Sequence, residues 1–323
     1  MKDRSYVLIS PCRDEAKYLQ RTIDSIINQS IQPTHWVIVD DGSSDETPLI
    51  LERAQQKHEL LQVLRLPQRS RREVGAGVIR AFRAGLASVD IDRFKYLCKL
   101  DLDVELPPAY FESLILEMEG EPRLATYSGK AYYFDTRRSR WVREAIGDDV
   151  SLAATKFYRV EAFRDIGGFV ENLMWDGIDC HEARIRGWKV ASSDRADLRF
   201  LHLRPMGSSD RGVLRGRRRH GVGLYYIGAS PLFALASVIY RLRQRPLVVG
   251  ALAIAVGYLE GMLHGERYPN RDVLTFVRKY QRLCLLLGKR RAVRLVERRF
   301  AYRWLRQHAS EGSSTSAGTG GSA

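Results

Sequence analysis

The sequence predicts an α/β fold with a mostly parallel sheet, followed by a basic helical extension. In the first hundred residues, short apolar runs alternate with segments of helical periodicity, as in strand–helix–strand units. Positive charge is concentrated near the C-terminus, where residues 267–307 hold 13 Lys and Arg against two acids, +11 of the total +14. These observations predict an α/β domain over residues 1–225, helices over 226–309 and a disordered tail over 310–323.

Composition narrows the class of protein further. A chain of 323 residues with 45% hydrophobic and 28% charged residues is neither a fibrous repeat nor a small disulfide-stapled module. The four cysteines are widely spaced and match no metal-ligand or disulfide pattern. Residues 1–10 lack the apolar core of a signal peptide, so we expect the α/β domain to stay in the cytoplasm.

Four apolar runs in the α/β region have the length of strands: residues 6–10, 36–39, 61–66 and 96–100. Helical periodicity fills the intervals between them. In the first interval the residues on one helical face are Leu19, Ile23, Ile26 and Ile27. In the second, Ser43 and Glu46 have the spacing of a capping box ahead of Pro48. The third helix is predicted over residues 78–87.

The second half of the chain is more mixed. Residues 125–134 read as a strand and 159–165 as a helix, and two apolar stretches follow at 231–240 and 247–263. Each apolar stretch is shorter than the ~20 residues that span a bilayer. From residue 273 to 287, apolar positions recur at helical spacing among Arg and Lys, which predicts a basic amphipathic helix.

The sequence contains three acidic clusters: residues 40–45, the Asp101-Leu-Asp103 pair and residues 175–179. The first two follow predicted strands. Residues two apart in an extended chain point to one side, so Asp101 and Asp103 can converge on one ligand. Carboxylates combined with a diphosphate form an oxygen-rich seat for Mg²⁺ or Mn²⁺. The acids therefore predict a site for a cation-bound diphosphate.

The motifs together resemble family 2 glycosyltransferases of the GT-A fold. The resemblance rests on their order and spacing over roughly the first 205 residues, which is more specific than a lone Asp-x-Asp pair. The motifs are Pro11-Cys-Arg-Asp-Glu15, Asp40-Asp-Gly-Ser-Ser-Asp-Glu-Thr47, Asp101-x-Asp103, Gly167-Gly-Phe and Asp176-Gly-Ile-Asp179.

The resemblance implies a metal-dependent, inverting transfer from a nucleotide sugar, and it assigns roles by position. Pro11, Arg13 and Glu15 would line the nucleotide site. Asp41 would contact the nucleotide base, and Asp101 would lie near the ribose and the sugar. Asp103 would hold Mg²⁺ or Mn²⁺. Asp176 would be the general base, because a sugar hydroxyl must lose its proton as the new bond forms.

The sequence departs from the family pattern at three positions. Trp175 replaces one member of the acid pair usual at the base position, Asp14 replaces an asparagine of the first motif, and Arg83 replaces a common asparagine. These changes bear on nucleotide and sugar preference and leave the reaction class intact.

Several basic residues have two open interpretations. Arg71 and Arg72, after Arg69, can reach the base or diphosphate, or can belong to a solvated basic loop. The segment His202-Leu203-Arg204 can supply a third metal ligand or a diphosphate contact, or His202 can be a loop histidine packed under the sheet. Lys156, Tyr158 and Arg159 can meet an acceptor phosphate or begin a surface helix. By contrast, Asp45 is expected to cap a helix and Asp179 to orient Arg184.

Apolar stretches interleaved with arginines favour an anionic membrane surface over nucleic acid as the partner. We expect peripheral or shallow attachment at the cytoplasmic face, the alternative being a helical packing subdomain or dimer surface. The expected reaction transfers a sugar, from a UDP-sugar, to a hydroxyl acceptor in cell-surface polysaccharide or lipid-linked glycan assembly. The alternatives are a polyprenyl-phosphate glycosyltransferase and a catalytically silent nucleotide-sugar-binding scaffold in a membrane synthase complex.

Overall fold

The computed structural model describes residues 2–68, 75–136, 138–204, 212–244 and 246–309. Its strands are β1 (Tyr6–Cys12), β2 (His35–Asp40), β3 (Leu61–Arg65), β4 (Tyr96–Leu100), β5 (Val104–Glu105), β6 (Leu124–Ser128), β7 (Lys130–Asp135), β8 (Arg140–Arg143), β9 (Thr155–Arg159), β10 (Lys189–Ser192) and β11 (Arg199–His202). Its α-helices are α1 (Ala16–Ile27), α2 (Thr47–Lys57), α3 (Ala76–Ala87), α4 (Tyr110–Gly120), α5 (Val160–Asp165), α6 (Trp175–Ile185), α7 (Val213–Tyr226), α8 (Pro231–Arg241), α9 (Val249–His264), α10 (Arg271–Leu287) and α11 (Lys289–His308).

The central sheet has seven strands in the order β10-β6-β9-β4-β1-β2-β3. Every pairing in it is parallel except the two made by β9. A smaller sheet, β5-β11-β7-β8, lies beside it. The predicted α/β fold with a mostly parallel sheet is confirmed.

Three of the first four predicted strands, β1, β2 and β4, lie at the centre of this sheet, and the other, β3, forms one edge. β1, β2 and β4 are almost fully buried, as is typical of parallel strands covered by helices on both sides. The carboxyl ends of the three strands open at one edge, where Cys12 pairs with Asp40. Ligands of doubly wound sheets bind at that edge, near the point where strand order reverses, here between β1 and β4.

Two local predictions were wrong. The stretch 125–134 is not one strand, because it divides at Gly129 into β6 and β7 of different sheets. A Cβ on Gly129 would lie 1.7 Å from the carbonyl oxygen of Leu198, so the crossing needs a residue without a side chain.

The capping box also does not form. The Ser43 hydroxyl instead accepts a hydrogen bond from the backbone N–H of Asp14 at 2.9 Å. Asp45 supplies the cap, accepting from the backbone N–H of Thr47 at 2.9 Å, as predicted for that residue. Its second oxygen accepts from Ala16 at 3.1 Å, so one carboxylate caps both α1 and α2.

The C-terminal helices form two packing groups. α7 packs on α9 through glycines, and a Cβ on Gly221 would lie 2.1 Å from the Ile254 carbonyl oxygen. The predicted amphipathic helix is α10, and its apolar face is buried in a cluster that includes Ile178 and Ile185 of α6. Protein, not lipid, therefore covers that face.

None of the helices in the described part of the chain is long and apolar enough to cross a membrane. The proposed boundary at residue 225 falls at the end of α7, and the 310–323 tail lies outside the described residues. The division into domains stays a prediction.

Candidate active site

The loops after β1 and β2 hold each other in place at the open edge of the sheet. The backbone N–H of Glu15 donates to the Thr47 hydroxyl at 2.8 Å, and that of Ser44 donates to the Asp14 carboxylate at 2.7 Å. Asp14 adopts a left-handed conformation with φ of 53°, which Asp tolerates better than most residues. The first two motifs therefore form one structural unit.

The residues expected to line a nucleotide lie along this unit. Pro11 is in β1 opposite Val39 of β2, and the N–H of Asp41 donates to the Cys12 carbonyl at 2.8 Å. Arg13 follows directly and is mostly buried, with 14% of its side chain exposed. The structure thus brings Pro11, Arg13 and Asp41 together at the ends of two adjacent strands.

Arg204 joins this unit to the Asp-x-Asp pair. Its guanidinium donates from Nη2 to Glu15 Oε1 and from Nε to Asp103 Oδ2, each at 2.5 Å. Both carboxylates are buried, so the arginine neutralises two charges removed from water. Arg204 was named from the sequence together with His202 as a metal-ligand or diphosphate segment, but the bridge between Glu15 and Asp103 was not predicted.

His202 lies between two carboxylates. Its Nε2 is 3.4 Å from Asp103 Oδ2 and its Nδ1 is 2.8 Å from Glu144 Oε1. Burial opposes the charged ring, but the hydrogen bonds to Asp103 and Glu144 raise the pKa of His202 to about 10. Burial likewise opposes ionisation of Asp103, yet the hydrogen bond and charge of His202 and the charge of Arg204 lower its pKa to about 2. The metal-free site is therefore a buried array of alternating charges.

The donor set at this point suits a hard divalent cation. Asp103 Oδ1 is buried and has no hydrogen-bond partner among the described residues. A carboxylate oxygen suits Mg²⁺ or Mn²⁺, and an imidazole that has lost its proton adds a softer nitrogen ligand, which Mn²⁺ accepts more readily than Mg²⁺. The described segments contain no group of three His, Cys, Asp or Glu that could hold a metal alone, so the remaining ligands would come from a substrate or water.

Asp101 is connected to Asp176 through two lysines and a tryptophan. Lys99 forms an ion pair with Asp101, and its Nζ lies 5.4 Å from the Trp175 ring centroid. Lys156 lies 5.2 Å from the same ring and donates to the Asp176 backbone carbonyl at 2.7 Å. The acids of the third and fifth motifs therefore belong to one continuous site.

Asp176 is half-buried in the first turn of α6. Desolvation raises the pKa of this carboxyl, and the charge of Lys156 opposes the rise. A raised pKa makes a carboxylate a stronger proton acceptor.

Lys156 and Tyr158 are fully buried, which excludes the surface helix start and an exposed acceptor contact. Lys156 Nζ pairs with Asp179 Oδ2 at 2.6 Å, and the Tyr158 hydroxyl donates to the same oxygen. Asp179 was expected to orient Arg184, whereas Arg184 donates to backbone carbonyls of Asp149 and Val190. β9 runs antiparallel to β4 and places Lys156 opposite Lys99. Asp179 therefore pairs with Lys156 and not with Arg184.

Of the other predicted positions, Arg71 and Arg72, with Arg69, lie outside the described residues. Arg83 donates to the Phe169 carbonyl at 2.9 Å and lies 3.5 Å from Glu171. It fastens α3 to the Gly-Gly-Phe segment, whose two glycines have φ of 75° and 77°.

The model of the family described as "Glycosyl transferase family 2" matches residues 7–174, just over half of the chain. No curated protein matches the sequence.

Solved structures share the architecture at low identity. The mannosyltransferase PcManGT from Pyrobaculum calidifontis, in complex with GDP-Man and Mn²⁺, is 16% identical with a TM-score of 0.52, covering 94% of this chain and 89% of its own. S. aureus TarS 1–349 with UDP-GlcNAc is 14% identical with a TM-score of 0.51, covering 95% and 92%. GalNAc-T7 with UDP, GalNAc and Mn²⁺ is 14% identical with a TM-score of 0.51, covering 79% and 54%. At these identities the likeness concerns the fold, and it confirms the predicted GT-A architecture.

Proposed function

Because the chain belongs to glycosyl transferase family 2, we propose that it is an inverting glycosyltransferase that takes a sugar from a UDP-sugar. The acceptor in this proposal is a hydroxyl of a cell-surface polysaccharide or of a lipid-linked glycan under assembly. The structural neighbours captured with GDP-Man and UDP-GlcNAc support a nucleotide-sugar donor.

One observation carries the proposal: motifs far apart in the sequence meet at one edge of the sheet. Arg204 bridges Glu15 of the first motif and Asp103 of the third. Trp175, next to Asp176, packs against the lysine that pairs with Asp101. A nucleotide, a diphosphate and a sugar would be bound in that order along this edge.

A residue of the chain can accept the proton that the acceptor hydroxyl loses. In the proposal, Asp176 accepts the hydroxyl proton as the oxygen attacks the anomeric carbon opposite the diphosphate, which inverts that centre. Lys99 and Lys156 hold positive charge against the indole of Trp175, which fixes the start of α6, the helix that carries Asp176.

Asp103 and His202 would hold the divalent cation. When bound, Mg²⁺ or Mn²⁺ offsets the charge that develops on the departing diphosphate. Neighbours solved with Mn²⁺ support the cation class. Arg204 and His202 also contact Asp103, so they would lie beside the bound cation and the diphosphate.

The test is a thermal-shift screen of nucleotide sugars with Mn²⁺, followed by donor hydrolysis and acceptor transfer. A donor that binds the folded state stabilises it by an amount that grows with the logarithm of its concentration relative to Kd. A UDP-sugar should therefore raise the Tm when Mn²⁺ is present. Asp103→Asn should remove most of that shift, whereas Asp92→Asn, on the surface, should keep it. Donor binding without hydrolysis or transfer would overturn the proposal in favour of the silent scaffold, and absence of binding across the common donors would overturn it altogether.

A further inference from the structure

α8 and α9 present apolar side chains to solvent along a continuous stripe. On α9 the exposed residues recur at steps of three and four, so they share one face, and α8 repeats the pattern. Each is at least half exposed. They are Leu232, Leu235, Ile239, Val249, Leu252, Val256, Leu259 and Leu263.

The opposite face of α9 is already packed on protein. Gly257 and Gly261 approach α7, where a Cβ on Gly257 would lie 1.9 Å from the Arg218 carbonyl oxygen. Ile254 and Tyr258 are buried in the cluster between the two helices. α9 is thus apolar on both its packed and its open face, whereas a helix facing water normally carries polar residues outward.

Arginines gather at one end of these helices. Burial and the charge of Arg217 lower the pKa of Arg241. Burial and the charges of Arg241 and Arg217 lower the pKa of His220 to about 4. Cγ of Arg217 in α7 lies 3.8 Å from where a Cβ on Gly250, in the first turn of α9, would lie, so the arginines of α7 are at the end where α8 ends and α9 begins. The exposed Arg215 and Arg243 extend the same end, and residues 213–267 contain eight arginines against two acids.

We infer that the open face of α8 and α9, here called the apolar platform, docks into an anionic lipid leaflet with the arginine end at the phosphates. Helices that lie in the interfacial plane bury an apolar face and place basic residues beside anionic headgroups. A second copy of this chain fits less well, because its own apolar platform would cover the apolar stripe but would bring no excess of acids to the arginine end. Shallow docking agrees with the lengths of α8 and α9, since neither can cross a bilayer.

The apolar platform is attached close to the candidate active site. Gly223 of α7 packs against Met174, and a Cβ there would lie 2.3 Å from the Met174 sulfur. Met174 directly precedes Trp175 and Asp176. Docking would therefore bring the proposed site near the leaflet, but vesicle binding needs no donor and is tested independently of the proposed function.

The experiment is flotation of the full chain with phosphatidylcholine vesicles, with and without phosphatidylglycerol. The wild type should float with the anionic vesicles. Leu235→Asp/Leu252→Asp should lower the bound fraction more than about tenfold, because two leucine burials are lost. The matched control, Leu49→Asp/Leu116→Asp, changes equally exposed leucines on α2 and α4 and should bind like the wild type.

A second arm tests the charge. Arg215→Glu/Arg243→Glu should weaken binding to the anionic vesicles, and added salt should weaken wild-type binding. Circular dichroism checks that each variant is folded. Failure of the wild type to bind, or equal binding by Leu235→Asp/Leu252→Asp, overturns the inference. A third result also overturns it: the wild type self-associates in sedimentation, Leu235→Asp/Leu252→Asp does not, and neither binds vesicles. A second copy of the chain would then cover this face.

Discussion

At the scale of single residues, the most informative feature is the buried ion pair beneath Asp176. Lys156 and Asp179 are both inaccessible, and burial opposes the charge of Lys156 while Asp179 raises its pKa. A pair of this kind contributes little net stability, but loss of one partner leaves an uncompensated charge. The pair thus positions α6, the helix that carries Asp176.

Lys156→Met should therefore destabilise the fold by about 3–5 kcal/mol, because Asp179 would be buried without its cation. Urea unfolding followed by circular dichroism measures the change. Lys189→Met is the matched control, since its partner Glu121 is partly exposed and such pairs contribute about 0–1 kcal/mol. Equal effects of the two substitutions would contradict the positioning role.

A half-buried histidine of α6 makes a pH prediction of definite sign. His181 packs against the rings of Phe276 and Tyr280, and burial lowers its pKa from 6.5 to about 3. Between these values the unfolded chain binds the proton and the folded chain does not. Folding stability should therefore fall as pH drops from about 6.5 towards 3.

His181→Phe should flatten this slope, as measured by urea unfolding at several pH values. The exposed His264→Phe serves as control and should keep the wild-type slope. An unchanged slope in His181→Phe would mean that other groups govern the acid dependence.

Two active-site residues also show the limit of sequence reasoning at this scale. Asp103 and His202 were selected from motif position, and the structure places them 3.4 Å apart. Glu144, the second carboxylate on His202, gave no sequence signal, because its position depends on β7 and β8 folding over β11. Arg204 was named with His202, but its bridge between Glu15 and Asp103 was not predicted.

At the scale of elements, local patterns located β1 to β4 and α1 to α3 within a few residues. Long-range pairings were not accessible in the same way. β6 pairs with β10, more than 60 residues away, and the turn between β6 and β7 depends on a backbone contact with Leu198. Likewise α10 was predicted as an amphipathic helix, but its pattern does not say whether protein or lipid covers the face.

Gly129→Ala tests the strand crossing. The added Cβ would clash with the Leu198 carbonyl, so we expect destabilisation of about 1–3 kcal/mol or more. Gly120→Ala is the matched control, because a Cβ at the end of α4 meets nothing within 4 Å. Thermal unfolding should show a lower Tm only for Gly129→Ala. A Tm equal to that of the wild type would show that the crossing tolerates a side chain.

At the scale of the whole molecule, the structure joins a GT-A domain to helices of two kinds. α10 and α11 pack on the domain, where Tyr280 donates to Asp149 at 2.9 Å and Lys289 lies 2.7 Å from the same carboxylate. α8 and α9 leave an apolar stripe open. The charge distribution of the sequence indicated a basic extension. Only the packing shows that protein covers the apolar faces of α10 and α11, whereas α8 and α9 keep apolar faces exposed to solvent.

The most direct measurement compares transfer and donor binding in Asp176→Asn. If Asp176 accepts the proton of a hydroxyl acceptor, the transfer rate should fall about 10²–10⁴-fold, while the donor-induced rise in Tm stays at the wild-type value. Asp92→Asn should change neither quantity. A transfer rate within a few-fold of wild type would contradict the assignment and point to an acceptor that is already ionised, such as a polyprenyl phosphate.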